Sequence, residues 1–457
     1  MSYIHIPHSR PLDHMTAFQI LQTHAKQRPN KEALVFRDEK LNRVSLTFQE
    51  YDTKSSSLAA GLLEIGLVRG DKVLVLLPSY LEFVLFHMAL NRIGAIMITI
   101  EENCYLAVCG VPDLACVIAR VEPTVTDNDK VIGEIKKALH QNMLKAAILV
   151  GSDGDAESLD NSKAYTHEKL FAMAEKNPEN STMVQKAEAQ VQMDDPCLVI
   201  FTSGSTSIPK PIQYTHHGYV NGVYADIDIS ELTQDSIFFS DSPFDWISGV
   251  AFSLGPAIVL GLTYVVFPPK LAITGKHVMT IMKIVEQEAI THAVFLLYLL
   301  QDIMLYKEEI IDKNLTKLKV VITGGQPTPL PVMKKLLDIW PDLTAVNSYG
   351  STESSLMTKQ RITKDNVDSI DYGVMEIVPG LEMKVVNEQG QLMPIGEAGE
   401  ICVRSAWISF CNWDFIDIGK GQEDTSKKSN GWHSTKDVGI VVNSNCIRLL
   451  GRIDFND

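Results

Sequence analysis

The sequence predicts an α/β protein with two doubly wound α/β layers packed together plus a small β-barrel. Residues 72–77 (KVLVLL) and 95–100 (AIMITI) are apolar strand patterns, and residues 80–93 between them have apolar side chains at helical spacing. Strand, helix and strand in alternation are typical of a parallel sheet covered by helices. The alternation returns between residues 196 and 370, which predicts the second layer. After Gly373, short strand patterns separated by Gly and Asn turns predict the β-barrel.

The length agrees with this organisation. A chain of 457 residues corresponds to about three structural units at ~150 residues per unit. We expect a first α/β subdomain over residues 1–190, which ends in a polar, acidic segment. A second α/β subdomain, which includes the glycine- and hydroxyl-rich segment 201–210, would cover residues 191–370, and the β-barrel would cover residues 371–457.

Charge and cysteine content exclude several classes of protein. Lysine and arginine total 41 against 56 aspartates and glutamates, which gives a net charge of −15. Such a surface repels nucleic acids and anionic membranes, so an anion must bind at a local site. The seven cysteines include no CxxC pair, which argues against a zinc ribbon or a thioredoxin-type redox site. We expect reduced, mostly buried thiols and a reducing compartment.

Neither a secretory signal nor a membrane span is predicted. The N-terminus lacks a charged start followed by an apolar run, so we expect a cytoplasmic protein, with a mitochondrial location as the weaker alternative. Residues 246–269 carry no charge and are long enough to span a bilayer. They contain three glycines and three prolines and finish with β-branched residues, a pattern that favours a buried helix followed by a buried parallel strand.

The sharpest chemical signal is FTSGSTSIPK at residues 201–210, directly after the apolar strand pattern 197–200. Its glycine and hydroxyl residues offer backbone N–H and O–H donors, and Lys210 adds a cation. These groups can hold a polyphosphate. The GxxxxGK[ST] pattern is absent, so an ordinary P-loop nucleotide hydrolase is disfavoured. Taken alone, a flexible Ser/Thr loop explains this segment about as well.

Further motifs rich in glycine, hydroxyl and single charged residues follow in order. They are residues 324–327 (GGQP), 348–353 (SYGSTE), 431–439 (GWHSTKDVG) and 451–454 (GRID). The first follows a strand pattern and forms a tight turn at the carboxyl end of that strand, where α/β sheets bind ligands. Each motif is weak by itself, but their order and context are specific.

With these motifs, the chain resembles the adenylate-forming superfamily of acyl-CoA synthetases, peptide-synthetase adenylation domains and beetle luciferases. The resemblance covers about residues 15–457, and TSGSTSIPK and YGSTES are its most specific parts. The opening SYIHIPHSRPL and the ALVF–LTF lead-in are closest to medium-chain fatty acyl-CoA synthetases. The resemblance implies that a carboxylate attacks the α-phosphate of ATP, which releases pyrophosphate. The thiol of coenzyme A then attacks the acyl-adenylate.

The resemblance also implies roles for the residues of each motif. Lys210 and the loop before it would neutralise the departing β- and γ-phosphates. Thr352 would contact the α-phosphate, and Glu353 would hold Mg²⁺, a hard cation that prefers oxygen ligands. The implied catalytic residues are therefore Lys210, Thr352 and Glu353, with Glu353 as the metal ligand.

The nucleoside would be recognised by the other motifs. The adenine would lie along the 324–327 turn and stack on Tyr349, and Asp437 would bind the two ribose hydroxyls with help from Arg452. The full set of implied nucleotide-binding residues is Thr202, Ser203, Gly204, Ser205, Thr206, Lys210, Gly324, Gly325, Gln326, Pro327, Ser348, Tyr349, Gly350, Thr352, Asp437 and Arg452.

The acyl pocket is defined less sharply. Relatives carry an aromatic residue or a histidine before a glycine beside the acyl chain, and residues 245–249 (DWISG) occupy that place. Trp246 and Gly249 would contact the substrate, or Trp246 would simply be a core residue. His216 and His217, after the phosphate loop, are expected to begin a helix rather than to bind a ligand.

Three residues depart from the family pattern. Ser207 and Pro211 stand where glycines usually flank the phosphate-loop lysine, and Lys436 replaces a glycine before the ribose-binding aspartate. A Cβ where φ is positive costs about 1 kcal/mol or more. The family also continues beyond its hinge, which corresponds to Asp454, into a mobile C-terminal lid. This sequence stops at Asp457, so we expect the lid to be absent and thioester formation to be poor.

The main hypothesis is an acyl-CoA ligase for a medium-chain fatty acid, with ATP and Mg²⁺ as cofactors and coenzyme A as co-substrate. A different class is a degenerate, lidless adenylate-forming protein that binds nucleotide or an acyl ligand with little turnover. A luciferase-like oxidase of an adenylate shares every motif and stays a third hypothesis.

Overall fold

The structure is a computed structural model that describes residues 1–100, 113–120, 128–151, 162–202, 210–268, 275–310, 315–408 and 431–452, with residues 111, 159 and 272 and the strand 427–428. For residues 128, 129, 202, 210, 427 and 428, only the backbone is described. The predictions for residues 203–209 and for Asp454 therefore lie outside the described part of the chain.

The strands are β1 (Tyr3–His5), β2 (Glu32–Arg37), β3 (Arg43–Thr47), β4 (Lys72–Leu76), β5 (Ile96–Thr99), β6 (Leu114–Arg120), β7 (Ala146–Val150), β8 (Ala164–Thr166), β9 (Pro196–Thr202), β10 (Lys210–Thr215), β11 (Ile237–Ser240), β12 (Thr263–Val266), β13 (His292–Val294), β14 (Val320–Thr323), β15 (Thr344–Ser351), β16 (Ser355–Ile362), β17 (Val374–Ile377), β18 (Glu382–Val386), β19 (Ala398–Arg404), β20 (Lys427–Lys428), β21 (Trp432–Val441) and β22 (Cys446–Arg452).

The helices are α1 (Ala17–Gln27), α2 (Phe48–Glu64), α3 (Leu81–Ile93), α4 (Asn128–His140), α5 (His167–Lys176), α6 (Asn180–Glu188), α7 (His216–Ser230), α8 (Leu254–Val259), α9 (Val278–Gln287), α10 (Leu297–Leu305), α11 (Lys307–Ile310) and α12 (Leu330–Ile339), with a π-helix at Ser248–Ser253. The strand, helix and strand predicted over residues 72–100 are β4, α3 and β5, and their bounds agree within one residue of the predicted ones.

Two large sheets form the fold. The smaller sheet has the order β10-β9-β5-β4-β6-β7-β8, and its neighbours are parallel apart from the β9–β10 hairpin. The larger sheet has the order β1-β18-β19-β21-β22-β17-β16-β15-β14-β13-β11-β12-β2-β3. It is parallel from β15 to β2, and the strands after β15 pair antiparallel, as short strands separated by turns predict. The predicted α/β class is confirmed.

Each sheet contains strands from both sides of the predicted boundary at residue 190. β2 and β3 belong to the larger sheet, whereas β9 and β10 belong to the smaller one, so both sheets draw strands from both sides of residue 190. One core cluster includes Val75 and Leu198 of the smaller sheet together with Val266 and Ile322 of the larger sheet. The boundaries at residues 190 and 370 stay a prediction.

The uncharged stretch 246–269 forms the π-helix, α8 and β12. β12 pairs in parallel with β11 and β2, and Tyr264, Val265 and Val266 are buried. The predicted buried helix and buried parallel strand are confirmed. Within the residues that the structure describes, no helix has the length and apolar character needed to cross a membrane.

Candidate nucleotide and acyl site

The motifs of the larger sheet meet at the carboxyl ends of its parallel strands. β11 has β12 on one side and β13 on the other, so the direction of winding reverses there. Such a switch point leaves a crevice at the carboxyl ends, where ligands bind. β11 ends at Ser240 and β14 at Thr323, while β15 pairs with β14 only as far as Asn347. The segments that follow these strands, 241–249, 324–327 and 348–353, therefore share one edge.

The phosphate loop joins β9 to β10. The two strands pair as far as Thr202 opposite Lys210, and β9 is parallel to β5, so the loop leaves from the carboxyl edge of the smaller sheet. Pro211 lies in β10 opposite Phe201 of β9, and β10 is one of the two outermost described strands of this sheet. An outermost strand accepts proline because half of its backbone N–H groups have no partner strand. The departure at Pro211 therefore fits its place in the sheet.

Two hydrogen bonds connect segments of the smaller sheet with segments of the larger sheet. The hydroxyl of Tyr214, in β10, donates to the backbone carbonyl oxygen of Thr352. The backbone N–H of Phe244 donates to Oγ of Ser79 at 2.9 Å, beyond the end of β4. The strand that follows the phosphate loop is thus in direct contact with the hairpin that carries Thr352 and Glu353.

The β15–β16 hairpin is narrow, and its sequence fits this shape. Ser351 is the last residue paired with Ser355, so residues 352–354 form the tip. A Cβ at Gly350 would overlap the backbone of Ser355, which explains the glycine of the YGSTE motif. Ser355 itself has φ +55°, a left-handed conformation that is uncommon outside glycine.

Glu353 offers a carboxylate at this tip. Thr352 and Glu353 are half-buried, and no cation of the described residues pairs with Glu353. A carboxylate that is accessible and not neutralised suits Mg²⁺, which binds through one or two carboxylates plus phosphate oxygens. The residues present therefore fit the predicted metal.

The predicted adenine turn is fixed by Ser348. The hydroxyl of Ser348 donates to the carbonyl oxygen of Thr323 at 2.9 Å, and a Cβ at Gly324 would lie 2.5 Å from that hydroxyl. Gly325 has φ +76°, which favours glycine. Residues 325–327 are exposed, whereas Ser348 is buried and engaged with the turn. This arrangement gives Ser348 a structural part in the turn.

Tyr349 and Asp437 form a hydrogen-bonded pair. The Tyr349 hydroxyl donates to Oδ2 of Asp437 at 2.5 Å. Burial, reinforced by the nearby Asp437 carboxylate, raises the pKa of Tyr349 well above its ordinary value. The backbone N–H of Asp437 donates to Oγ1 of Thr435 at 3.1 Å, and Arg452 lies opposite Asp437 in the β21–β22 pair. The residues expected at the base and the sugar are therefore neighbours in space.

Lys436 adopts a left-handed backbone conformation. Its φ is +63°, so the expectation of a positive φ at this position is confirmed. Its Nζ lies 3.9 Å from Oε1 of Glu400, to which Ser434 also donates a hydrogen bond. The lysine is thus accommodated, in a strained backbone conformation. Ser207, the other replaced glycine, lies outside the described residues.

The acyl segment corrects one expectation. Trp246 is 42% exposed, so the interpretation of Trp246 as a core residue is wrong. Gly249 lies against residue 243, and a Cβ at Gly249 would overlap the carbonyl of Pro243. Close packing against the backbone of Pro243 therefore explains the glycine at position 249.

Two further expectations concern buried polar side chains. α7 begins at His216, as predicted, and the His216 ring stacks edge-on against Phe18 at a centroid distance of 6.5 Å. Burial lowers the pKa of His216 to about 4.

The described cysteines Cys116, Cys197 and Cys402 are buried thiols, and Cys446 is half-buried.

Tyr214 was not predicted from the sequence. Nothing in an alternating strand pattern shows which tyrosine will contact the hairpin of Thr352.

Comparison with solved structures identifies the fold of this protein. The chain superimposes on an anthranilate CoA ligase in complex with anthranoyl-AMP with a TM-score of 0.79, at 18% identity, over 97% of this chain and 79% of that one. It superimposes on a long-chain-fatty-acid-CoA ligase of Archaeoglobus fulgidus with a TM-score of 0.78, at 18% identity, over 99% and 87%. At these identities the likeness shows the fold, which is that of adenylate-forming enzymes.

The family follows from the sequence. The sequence model described as AMP-binding enzyme matches residues 21–411, so the chain belongs to the AMP-binding enzyme family. A mitochondrial medium-chain acyl-CoA ligase of Danio rerio is 25% identical over 99% of this chain and 74% of its own length. An acyl-CoA ligase of Beauveria bassiana is 24% identical over 99% of this chain and 76% of its own length.

Proposed function

We propose that this protein is an ATP-dependent acyl-CoA ligase that activates a medium-chain fatty acid through an acyl-adenylate. The observation that carries the proposal is the contact of Tyr214, beyond the phosphate loop, with the hairpin of Thr352 and Glu353. Membership of the AMP-binding enzyme family supports ATP-dependent activation of a carboxylic acid. Similarity to medium-chain acyl-CoA ligases supports the chain length of the acid.

The first step needs charge neutralisation at the phosphates. A carboxylate oxygen of the fatty acid bonds to the α-phosphorus of ATP, and the bond from that phosphorus to the bridging oxygen breaks. Pyrophosphate leaves with the electron pair, so negative charge grows on the β- and γ-phosphates. Lys210 and the donors of residues 202–206 would stabilise this charge, and Thr352 would donate to the α-phosphate. Glu353 would hold Mg²⁺, which would neutralise phosphate oxygens when bound.

The nucleoside would be held by Asp437, Tyr349 and Arg452. Asp437 has two acceptor oxygens, one of which already accepts from Tyr349, so ribose hydroxyls could donate to the remaining acceptor sites. The Tyr349 bond holds the carboxylate in one orientation before ATP arrives. Arg452 lies beside the pair and would balance its charge.

The acid and the thiol would enter near the exposed face of Trp246. An indole that is 42% exposed beside the switch point of the larger sheet offers an apolar surface to an alkyl chain. In the second step, the sulfur of coenzyme A would bond to the acyl carbonyl carbon, and the thiol proton would pass to solvent. The bond from that carbon to the phosphate oxygen would break, and AMP would leave with its electron pair. Coenzyme A is the acceptor that the acyl-CoA ligase relatives imply.

Pyrophosphate release tests this proposal most directly. The protein is incubated with ATP, Mg²⁺ and one carboxylic acid at a time, from acetate to palmitate, and pyrophosphate and AMP are quantified with and without coenzyme A. We expect the highest kcat/KM with octanoate or a neighbour in length, and D437A should reduce it. ATP binding by calorimetry without pyrophosphate release from any acid would favour the degenerate nucleotide-binding protein instead.

A further inference from the structure

A fully buried aspartate of α7 contacts the hairpin that carries Thr352 and Glu353. Asp226 is 0% exposed. The hydroxyl of Ser355 lies 2.9 Å from both of its carboxyl oxygens, and the backbone N–H of Leu356 donates to Oδ1 at 3.3 Å. All three hydrogen-bond contacts of the carboxyl group therefore come from the first two residues of β16.

The environment of Asp226 is unfavourable for a carboxylate. Among the described residues no cation pairs with it, and burial raises its pKa to about 7 against the opposing effect of its hydrogen bonds. A buried carboxyl group without a counter-ion costs stability, and an apolar side chain at this helical position would avoid that cost. The stability of α7 therefore does not explain why residue 226 is an aspartate.

The contacts of Asp226 with the β15–β16 hairpin explain the aspartate. The tip is anchored at three points: Tyr214 donates to the carbonyl of Thr352, Nε1 of buried Trp407 donates to the carbonyl of Ser354 at 3.0 Å, and Asp226 accepts from Ser355. Glu353 lies between these anchors. Ser355 also has φ +55°, a strained conformation that persists only where surrounding contacts enforce it.

We propose that Asp226 is a positioning residue for ATP activation, which holds Ser355 in its left-handed conformation and so directs Thr352 and Glu353 toward the magnesium–ATP complex. The inference rests on the roles given to Thr352 and Glu353 in the proposed function. It adds a residue outside every motif, on a helix that contributes no side chain to the predicted nucleotide contacts.

The test compares two buried hydroxyls of similar size. S355A removes the donor to Asp226. S230A removes a hydroxyl in the same helix that donates only to the backbone carbonyl of Asp226, at 2.8 Å. We expect S355A to raise the KM for magnesium–ATP about tenfold, because displaced Thr352 and Glu353 would bind the complex less well, by roughly one hydrogen bond to a charged group. The KM for the fatty acid should stay unchanged, and S230A should match the wild type in both constants.

Variants of Asp226 complete the test. D226N keeps an acceptor for Ser355 and should restore a KM for magnesium–ATP near that of the wild type, whereas D226A should resemble S355A. If D226A folds poorly, the S355A and S230A pair decides. Equal KM values for S355A, S230A and the wild type would overturn the positioning role. A wild-type protein that releases no pyrophosphate would contradict the proposed function alone, and calorimetric affinity for magnesium–ATP in the same variants would then decide on Asp226.

Discussion

The hydroxyl of Tyr349 lies 2.5 Å from Oδ2 of Asp437, although β22, β17 and β16 separate β15 from β21 in the order of the larger sheet. In a flat sheet with strands ~4.8 Å apart, four steps would place these strands about 19 Å from each other. The sheet must therefore curl so that its antiparallel part faces the end of β15. This curl brings the predicted ribose residue to the predicted adenine residue.

The first prediction tests this contact. Y349F keeps the ring and removes the donor to Asp437, so the carboxylate loses one orienting bond. We expect the KM for magnesium–ATP to rise about fivefold, which corresponds to ~1 kcal/mol for a hydrogen bond. Steady-state pyrophosphate release measures it. Y3F is the matched control, since Tyr3 donates to Glu382 at 2.7 Å on the surface of the sheet. An equal KM in Y349F and Y3F would refute the orienting role.

The second prediction concerns the cation of the phosphate loop. K210A should weaken the binding of ATP by roughly 10- to 100-fold, the loss expected for a hydrogen bond to a charged group. AMP lacks the β- and γ-phosphates, so its affinity should change much less. Calorimetry with both nucleotides measures the difference. K334A, which removes a surface ion pair with Asp368, is the control for loss of one positive charge. Equal losses for ATP and AMP would contradict the assignment of Lys210.

The third prediction concerns the backbone beside Trp246. G249A places a Cβ against the carbonyl of Pro243, so the π-helix must shift. We expect a loss of about 3 kcal/mol in the free energy of unfolding, the upper range for overpacking a core. G133A, in α4, is the control because a Cβ there meets nothing within 4 Å. Urea denaturation should show G133A at least as stable as the wild type. A stable G249A would refute the close packing.

The fourth prediction uses the left-handed conformation of Lys436. K436G should increase the free energy of unfolding by up to about 1 kcal/mol, because glycine adopts φ +63° without strain. Loss of the contact with Glu400 offsets part of this gain. K359G, at a β16 position with ordinary φ, should instead destabilise the protein. Urea titrations of both variants decide, and similar losses in both would show that the conformation of Lys436 carries no strain.

The fifth prediction concerns Asp241, which is fully buried beyond the end of β11. Its carboxyl oxygens accept the backbone N–H of Leu296 at 3.1 and 3.2 Å, and burial raises its pKa to about 7. Between about pH 4 and 7 the folded state therefore holds a proton that the unfolded state has released, so rising pH lowers stability. In D241N this loss disappears. The stability of D241N relative to the wild type should grow by up to ~1.4 kcal/mol per pH unit in this window.

His292 provides a control because burial should change the pH dependence of stability in the opposite direction. Burial lowers the pKa of His292 to about 4, so between about pH 4 and 6.5 the unfolded state holds the extra proton and rising pH increases stability. H292Q should therefore lose stability relative to the wild type as the pH rises through this window. Chemical denaturation at several pH values measures both variants. Parallel pH profiles for D241N and the wild type would refute the raised pKa of Asp241.

The helices and strands could be predicted from the sequence, because the spacing of apolar residues indicates which face of each is buried. The uncharged stretch 246–269 shows this, since its glycines and β-branched residues marked a helix and a strand that the structure contains. Partners of strands could not be predicted, because an apolar strand pattern is the same whichever sheet receives it. β2 and β3, which lie in the larger sheet, are the example.

The candidate site was predictable where glycine and charge form a local pattern. Gly324, Tyr349 and Asp437 stand in such patterns, but the contact between the last two depends on the curl of the sheet, which no local pattern encodes. Asp226 was missed for another reason. It stands in a helix whose other residues are mostly buried, and its function depends on a hairpin more than a hundred residues later.

Pro211 has a consequence for how this protein behaves in concentrated solution. β10 is an edge strand of its sheet, and among the described residues no strand pairs with its outer side, where a strand of another molecule could pair. A proline cannot donate the hydrogen bond that such a strand would need. Pro211 therefore interrupts the row of backbone donors that such a strand would need, and we expect P211G to aggregate more readily than the wild type.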